Sequence, residues 1–459
     1  MHETFQELPK FRPGKKLSPK EVILILQAEE SETNIGKIKE NDFLGLRRRA
    51  YLFQTIYDAY VNQNQKELGA AYQRLEKLTY PWLSQKGVYK SVKDLASSFS
   101  GRGIVMTSGK WHFKYARHAV NYVRRIGSTL PIEMFYVGED DLPKEMRQEL
   151  EKVPNLRCID LKPLIDTDGP EVRGWAVKPF SMLLSSFKEI IFLDADALFF
   201  QNPDVLFDFK LYGATGAVFF RDRTLFGGGD NDGLRLFKSM VPLPSEYAKT
   251  EGRTVRMISQ HEGESGVIVW DKTRNLHAFL LVCTMNSEPY RKTLYHANHG
   301  KKNNYNHEFN LEINDFESIG DKESYWMAHE ALELPYRWAP GGGGTVGYVE
   351  DPEKKPNSIC GGLYHPDENW KPLWFNGGIL RNKYTGKGKQ VMEITHWATD
   401  RTFGEPVALK WQWETETSPF CLQPPNTETE VGELTEDEKK KAKLMVDVWD
   451  QLEETENKE

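Results

Sequence analysis

Two aspartates separated by one residue, Asp194 and Asp196, follow four apolar residues in "EIIFLDADALFF" (189 to 200). In an extended strand, side chains two apart point to one side, so the pair would aim together while Ala195 faces away. Two carboxylates converging at the end of a buried strand repel each other unless a cation lies between them. Oxygen donors suit a hard ion such as Mg²⁺ or Mn²⁺, with substrate phosphates completing its shell. Other readings use the same residues. Asp196 could cap the turn into "FFQNP" while Asp194 is exposed. A phosphatase also places two aspartates after an apolar strand, but it needs a small hydroxyl residue two positions past the second, and Ala197 and Leu198 follow here.

The elements around the pair read as α/β. Short apolar runs at 103–108, 132–137, 156–160, 189–194 and 214–220 are strand candidates, with a helix marked by Tyr115, Ala119, Tyr122, Val123 and Ile126 between the first two. Strand and helix in alternation imply a mostly parallel sheet covered on both faces, and such sheets bind ligands at the carboxyl ends of their strands. Residues 1–100 read as a helical, stem-like extension. Ser18 to Glu21 form a capping box, and apolar stripes follow at Leu52, Phe53, Ile56, Tyr57, Tyr60 and at Leu68, Ala71, Tyr72, Leu75. The central segment, 101–417, holds the α/β pattern. The stretch 286–320 is polar and rich in Asn, His and Tyr, as in a long loop or lid. The tail, 418–459, is acidic with one helix, opened by a Thr435/Glu438 capping box and carrying Ala442, Met445, Trp449 and Leu452 on one face.

Composition excludes several classes. The net charge is −7, and residues 426–459, with twelve acids and five lysines, account for all of it. A neutral body without basic clusters lacks the footprint of nucleic-acid binding. Four cysteines show no CxxC spacing, and Cys360 and Cys421 either pair in an oxidising compartment or stay free. No run approaches the roughly 20 apolar residues of a membrane span. The chain as given therefore reads as soluble, and a membrane anchor would lie outside it.

The blocks "GRGIVMTSG" (101–109), "GSTLPIEMFYVGEDDL" (127–142) and "WAVKPFSMLLSSFKEIIFLDADALFFQNPDVLFD" (175–208) closely resemble the fungal Golgi α-1,3-mannosyltransferase family. "FFRDR", "GESGVIVWDK", "GDKESYWMAHE", "PGGGGTVG" and "GGLYHPDENWKPLWFNGGILRNK" follow in the family's order, and the resemblance spans roughly 80 to 385. It implies an α/β GT-A fold, Rossmann-like and built for nucleotide sugars, with an N-terminal helical extension. The implied enzyme is a metal-dependent, retaining α-mannosyltransferase. It would use GDP-mannose as donor and Mn²⁺ (or Mg²⁺) as cofactor to extend a mannose-containing glycan in the Golgi lumen.

By the same resemblance Asp194, Asp196 and His365 are the metal ligands. Lys178, Arg221, Asn376, Gly377 and Lys383 are the donor-binding groups, Arg221 with its neighbour Arg223. Retention needs either a covalent glycosyl intermediate or front-face attack, and both want a polar group beneath the anomeric carbon. Asp321 and Glu323 are nominated by "GDKESYW", where Lys322 stands in place of the related glutamine; Glu264 and Glu330 are alternatives. Each of these acids and cations serves equally well as a salt-bridge partner. Tyr325, Trp326, Trp370 and Trp374 either stack on sugars or fill the core. Gly341 to Gly344, without a P-loop ending, would let backbone approach a sugar or hinge a loop. Two other functions fit the sequence: a transferase for a different nucleotide sugar, and a non-catalytic subunit that binds glycans or scaffolds a mannosyltransferase complex.

Overall fold

The computed structural model describes residues 18–31, 42–83, 87–165, 172–224, 231–299, 320–350, 353, 358–383, 390–401, 410–413, 420–424, 426 and 429–456. Its strands in chain order are β1 (Arg102–Thr107), β2 (Ile132–Tyr136), β3 (Leu156–Asp160), β4 (Glu189–Leu193), β5 (Leu198–Phe199), β6 (Ala217–Arg221), β7 (Gly263–Asp271) and β8 (Arg337–Trp338). Then come β9 (Gly342–Val349), β10 (Ile359–Pro366), β11 (Pro372–Asn376), β12 (His396–Asp400), β13 (Lys410–Trp413), β14 (Phe420–Gln423) and β15 (Val431–Glu433).

Seven strands form the main sheet in the order β3-β2-β1-β4-β7-β6-β8. The pairs among β1 to β4 are parallel, as is β6 with β8, and β7 runs antiparallel to both neighbours. This is the α/β, GT-A class of sheet that the sequence implied. The five strand candidates all form, except that 214–216 end the helix Lys210–Thr215 at Gly216, which takes φ +72°.

Period-two alternation divides the core between the two faces. Val105, Ile190, Phe192, Phe219 and Trp270 face one cluster, and Ile104, Met106, Ile191, Leu193 and Val218 face the other. The first face is covered by the helices Val177–Leu184, Leu276–Met285 and Ser324–Leu332 and by the N-terminal helices Pro19–Ser31, Phe43–Tyr57 and Gly69–Thr79. Trp82 packs edge-on to Phe180, and Phe53 meets Tyr72 and Tyr80. The capping box at Ser18 forms, its backbone N–H donating to Glu21 at 2.7 Å.

The second face carries the helix Phe113–Arg125 and the C-terminal helix Glu436–Glu456. Trp449 packs against Tyr115 and His118. The Thr435/Glu438 capping box closes that helix's start, Thr435 N–H donating to Glu438 at 2.8 Å.

A second sheet, β13-β14-β10-β9-β12-β15, is joined to the first by β11, which pairs with both β10 and β5. Two expectations are corrected here. The stretch 286–320 holds the helix Tyr290–His299, whose Tyr290, Leu294 and Tyr295 are buried, while 300–319 lie outside the described residues. The glycine run is no hinge: Gly342, Gly343 and Gly344 sit inside β9, where a Cβ on Gly344 would lie 2.1 Å from the Ala398 carbonyl oxygen.

Cys360 of β10 and Cys421 of β14 are cross-strand partners joined by a disulfide across 61 positions, and Cys158 and Cys283 are free. Among the described residues no helix is long and apolar enough to cross a membrane. Closing a loop of that size removes chain entropy worth about 4 kcal/mol from the unfolded state. The double substitution Cys360→Ala, Cys421→Ala is expected to lower the unfolding free energy by about that amount in urea titrations, and a loss below about 1 kcal/mol contradicts it.

Candidate active site

Because β7 runs against β4 and β6, its first residues lie beside the last residues of those strands. Leu193 pairs with Val267, Phe220 with Glu264 and Arg221 with Gly263. Asp194 and Asp196 after β4, Asp222 after β6, and Glu264 and Ser265 at the start of β7 therefore meet at one edge of the sheet. Lys178 reaches this edge from the helix Val177–Leu184, Asp321 and Lys322 precede the helix Ser324–Leu332, Asn376 ends β11, and Gly377 to Lys383 follow it. Asp194, Asp196, Glu264, Lys322, Asn376, Gly377 and Lys383 are all half-buried, and most of their chain neighbours are buried.

Strand β4 ends at Leu193, so the two aspartates lie in a turn rather than on one strand face. Asp194 N–H donates to the Gly266 carbonyl at 2.8 Å, and Ala197 N–H donates to the Asp194 carbonyl at 3.1 Å. Lys178 Nζ stands 2.7 and 2.8 Å from the two Asp194 carboxylate oxygens. Lys383 Nζ bonds the Asp196 carboxylate, and Gly378 N–H donates to the Asp196 carbonyl at 2.9 Å, which the φ of +73° at Gly378 permits. Burial pushes Asp194 up to about 6, against Lys178 and with help from the Asp196 charge. Burial also acts to raise Asp196, but the Lys383 ammonium, joined by His112 and Lys178, holds this carboxyl below its ordinary value. The two carboxylates share one electrostatic field while each keeps its own lysine.

The four candidate acids separate by what holds them. Glu330 accepts from Ser245 N–H at 2.9 Å and from its hydroxyl at 2.7 Å, tying down the helix Glu246–Glu251. Glu323 accepts from Trp326 Nε1, Glu262 N–H and Gly263 N–H and is buried, which lifts it to about 7. Asp321 accepts from the Tyr325 hydroxyl at 2.6 Å and lies 3.4 Å from the Ser265 hydroxyl. Glu264 differs from these three. Its Oε1 accepts from Gly266 N–H and Asn376 Nδ2, both at 2.9 Å, and its Oε2 takes no hydrogen bond among the described residues. Burial, then the charge of Asp222, lifts Glu264 to about 7. A side chain at 266 would collide with this arrangement, since a Cβ there would lie 2.7 Å from Asn376 Nδ2.

The remaining candidates divide similarly. Lys178, Lys383, Asn376 and Gly377 belong to the edge. Arg221 is 4% exposed and its guanidinium faces Glu262, Glu251 and the Ala339 carbonyl. His365 is buried, stacked on Trp374 and edge-on to Phe220, and its Nε2 has no hydrogen-bond partner. Burial drives it down to about 3, so the imidazole is neutral. The charges acting on it are Asp222, Arg223 and Arg253, with neither Asp194 nor Asp196 among them. Among the described residues the grouping of three donor atoms within 4.8 Å is Glu350, Cys360 and Cys421, whose sulfurs are bonded to each other. Tyr325, Trp326 and Trp374 are buried, and Trp370, half-buried, lies under Arg401.

Sequence reasoning gave Asp222 and Lys322 no role at the edge. Lys322 Nζ is 2.5 Å from Asp222 Oδ2, and Arg223 N–H donates to Asp222 Oδ1 at 2.7 Å. A detectable signal was present, because Asp222 directly follows a strand parallel to β4 and must arrive at the same edge.

This half-buried set of acids and lysines lies at the carboxyl edge of a largely parallel α/β sheet, where such sheets bind ligands. A family model described as "Mannosyltransferase putative" matches residues 101–367, well over half of the chain, and the chain belongs to this mannosyltransferase family. It is similar to "Putative alpha-1,3-mannosyltransferase MNN14" of Candida albicans (24% identical, covering 78% of this chain and 57% of that protein). The alpha-1,3-mannosyltransferase MNN1 of Saccharomyces cerevisiae is 24% identical over 68% of this chain and 45% of its own length. The chain spans about half the length of the curated relatives it matches. Among solved structures, the glycosyltransferase GlyE of Streptococcus pneumoniae TIGR4 is matched at 14% identity and a TM-score of 0.30, over 52% of this chain and 45% of that one.

Glu323 allows a test of burial at the site. Its folded value of about 7 lies above its ordinary 4.5, so the stability contributed by the protonated form is fully present below about 4.5 and is lost as pH rises through about 7. Glu323→Gln lacks this loss. Relative to wild type it should gain roughly 3 kcal/mol in unfolding free energy between pH 4.5 and pH 8. Buried histidines common to both proteins cancel in the difference, and a pH-independent difference would place Glu323 in water.

Proposed function

We propose that the chain carries the catalytic unit of a metal-dependent, retaining α-mannosyltransferase. It moves mannose from GDP-mannose to a mannose-containing glycan, in α-1,3 linkage, during protein glycosylation in the Golgi lumen. The observation that carries this reading is Glu264, anchored through one oxygen with the other free, beside two aspartates and two lysines. A carboxylate held in this way can face the anomeric carbon of a sugar whose diphosphate lies toward Lys178 and Lys383. The Cys360–Cys421 disulfide suits an oxidising lumen.

The oxygen donors fit a divalent ion: Asp194 and Asp196 are adjacent, partly exposed at 14% and 13%, and electrostatically coupled. They would hold Mn²⁺ or Mg²⁺, with His365, neutral and unpartnered at Nε2, as the nitrogen donor named by the resemblance. A bound divalent ion neutralises the charge that grows on a leaving diphosphate. This chain's own groups do the rest. Lys178 and Lys383 offer positive charge where the C–O bond to phosphate breaks and its electron pair departs with the nucleotide. Glu264 Oε2 supports the positive charge that grows on the sugar, or bonds to it. The acceptor hydroxyl then bonds to the sugar on the face the phosphate left, its proton passing to the departing phosphate, and any bond from Glu264 breaks with its electron pair returning to the carboxylate. Asn376 fixes the orientation of Glu264, and Gly266 leaves room for both.

Asp196→Ala is expected to abolish transfer, by at least a hundredfold, with the unfolding midpoint within a few degrees of wild type, and to weaken Mn²⁺ binding in calorimetry. The metal role is wrong if that variant transfers mannose normally in chelator-free buffer. The same titration with His365→Ala assigns the imidazole: weaker Mn²⁺ binding places it on the ion, unchanged binding places it in the packing against Trp374. Parallel assays with GDP-mannose, UDP-glucose and UDP-galactose identify the donor, and turnover of a uridine donor alone would overturn the mannose assignment.

A further inference from the structure

Glu264 makes its hydrogen bonds to neutral groups, the Gly266 N–H and the Asn376 amide, so no partner in contact with it decides whether it carries a proton. Across the register of β6 and β7 it stands opposite Phe220, two residues before Asp222. Asp222 is itself fully engaged: Arg223 donates to Oδ1, and Lys322 Nζ lies 2.5 Å from Oδ2. Lys322 comes from a different element, the turn ahead of the helix Ser324–Leu332, and the Gly263 backbone packs against its carbonyl so closely that a Cβ on Gly263 would lie 2.8 Å from it. The start of β7, which bears Glu264, is thereby pressed against the backbone that bears Lys322.

We propose that the Asp222–Lys322 ion pair is a positioning device for Glu264: Asp222 favours its protonated form, Lys322 favours its carboxylate, and the balance sets the form in which Glu264 meets the sugar donor. The inference rests on the reading of Glu264 as the group beneath the sugar. Asp222 is the strongest charge acting on Glu264, Lys322 is next, and both outweigh Asp194 and Lys178, which are paired with each other. Further charged and titratable groups face the pair itself. Arg223 and His261 steady the Asp222 anion, Glu323 acts on Lys322, and His365, buried and neutral, stands on the side of Asp222. Lys322 is a consequence of this arrangement that a neutral residue at 322 could not provide, since Asp222 would then press Glu264 toward its protonated form unopposed.

The test is the pH profile of kcat for mannose transfer by the full chain with GDP-mannose and Mn²⁺. Asp222→Asn should move the limb that reports Glu264 to lower pH and Lys322→Gln should move it to higher pH, by about one unit each. Lys322→Arg should restore the wild-type profile, and the double variant Asp222→Asn, Lys322→Gln should return close to it. A merely structural role would lower kcat in both single variants without displacing the limb in opposite directions, and that result overturns the proposal. If Lys322→Gln fails to fold, Lys322→Arg and the double variant still decide, since a double variant displaced as far as Asp222→Asn alone also overturns it. Glu264→Gln separates the two readings: full activity in that variant refutes Glu264 beneath the sugar, whereas loss of activity together with unmoved profiles in the pair variants refutes the positioning device alone.

Discussion

One reversed strand organises the molecule. With β7 antiparallel between β4 and β6, two strand ends and one strand start share an edge, and all three end in carboxylates: Asp194 with Asp196, Asp222, and Glu264. A parallel strand in that place would send Glu264 to the opposite edge of the sheet, some nine residues away. The residues on the site side of the edge can afford polar character because the strands behind them are sealed by apolar side chains on both faces.

Collecting that many acids at a half-buried edge is costly unless cations accompany them. Each lysine answers a particular acid: Lys178 serves Asp194, Lys383 serves Asp196 and Lys322 serves Asp222. Glu264 is left with neutral hydrogen-bond partners, and burial together with the Asp222 charge raises its proton affinity. The lysines come from three distant parts of the chain, so charge balance at this edge exists only in the folded protein. The second sheet contributes through β11, which pairs with β5 just beyond the aspartates, brings Gly378 and Lys383 to Asp196 and brings Asn376 to Glu264.

The same sheet explains two features that had invited other readings. Gly342 to Gly344 lie in β9 where β10 and β12 crowd both sides, so the absence of side chains is a packing requirement. The pairing of β10 with β14 brings Cys360 opposite Cys421, which ties the C-terminal segment to the strand that carries His365.

Much of this protein was legible in its sequence. Short apolar runs placed the first strands of the main sheet, the two capping boxes placed helix starts, and an acid pair after a strand marked the edge of the sheet, because these signals are local and follow from backbone geometry. What the sequence left open was which charges face one another. Glu264, Glu323 and Glu330 look alike as letters, yet one keeps a free oxygen at the edge of the sheet, one ties a turn and one holds the serine that caps a helix, since partners that distinguish them lie 61 to 112 positions away. The direction of β7 and the register of β6 against it were decided only by tertiary packing, because a strand's apolar pattern reads the same in either direction, and from that direction came the meeting of Glu264 with Asp222 and Lys322.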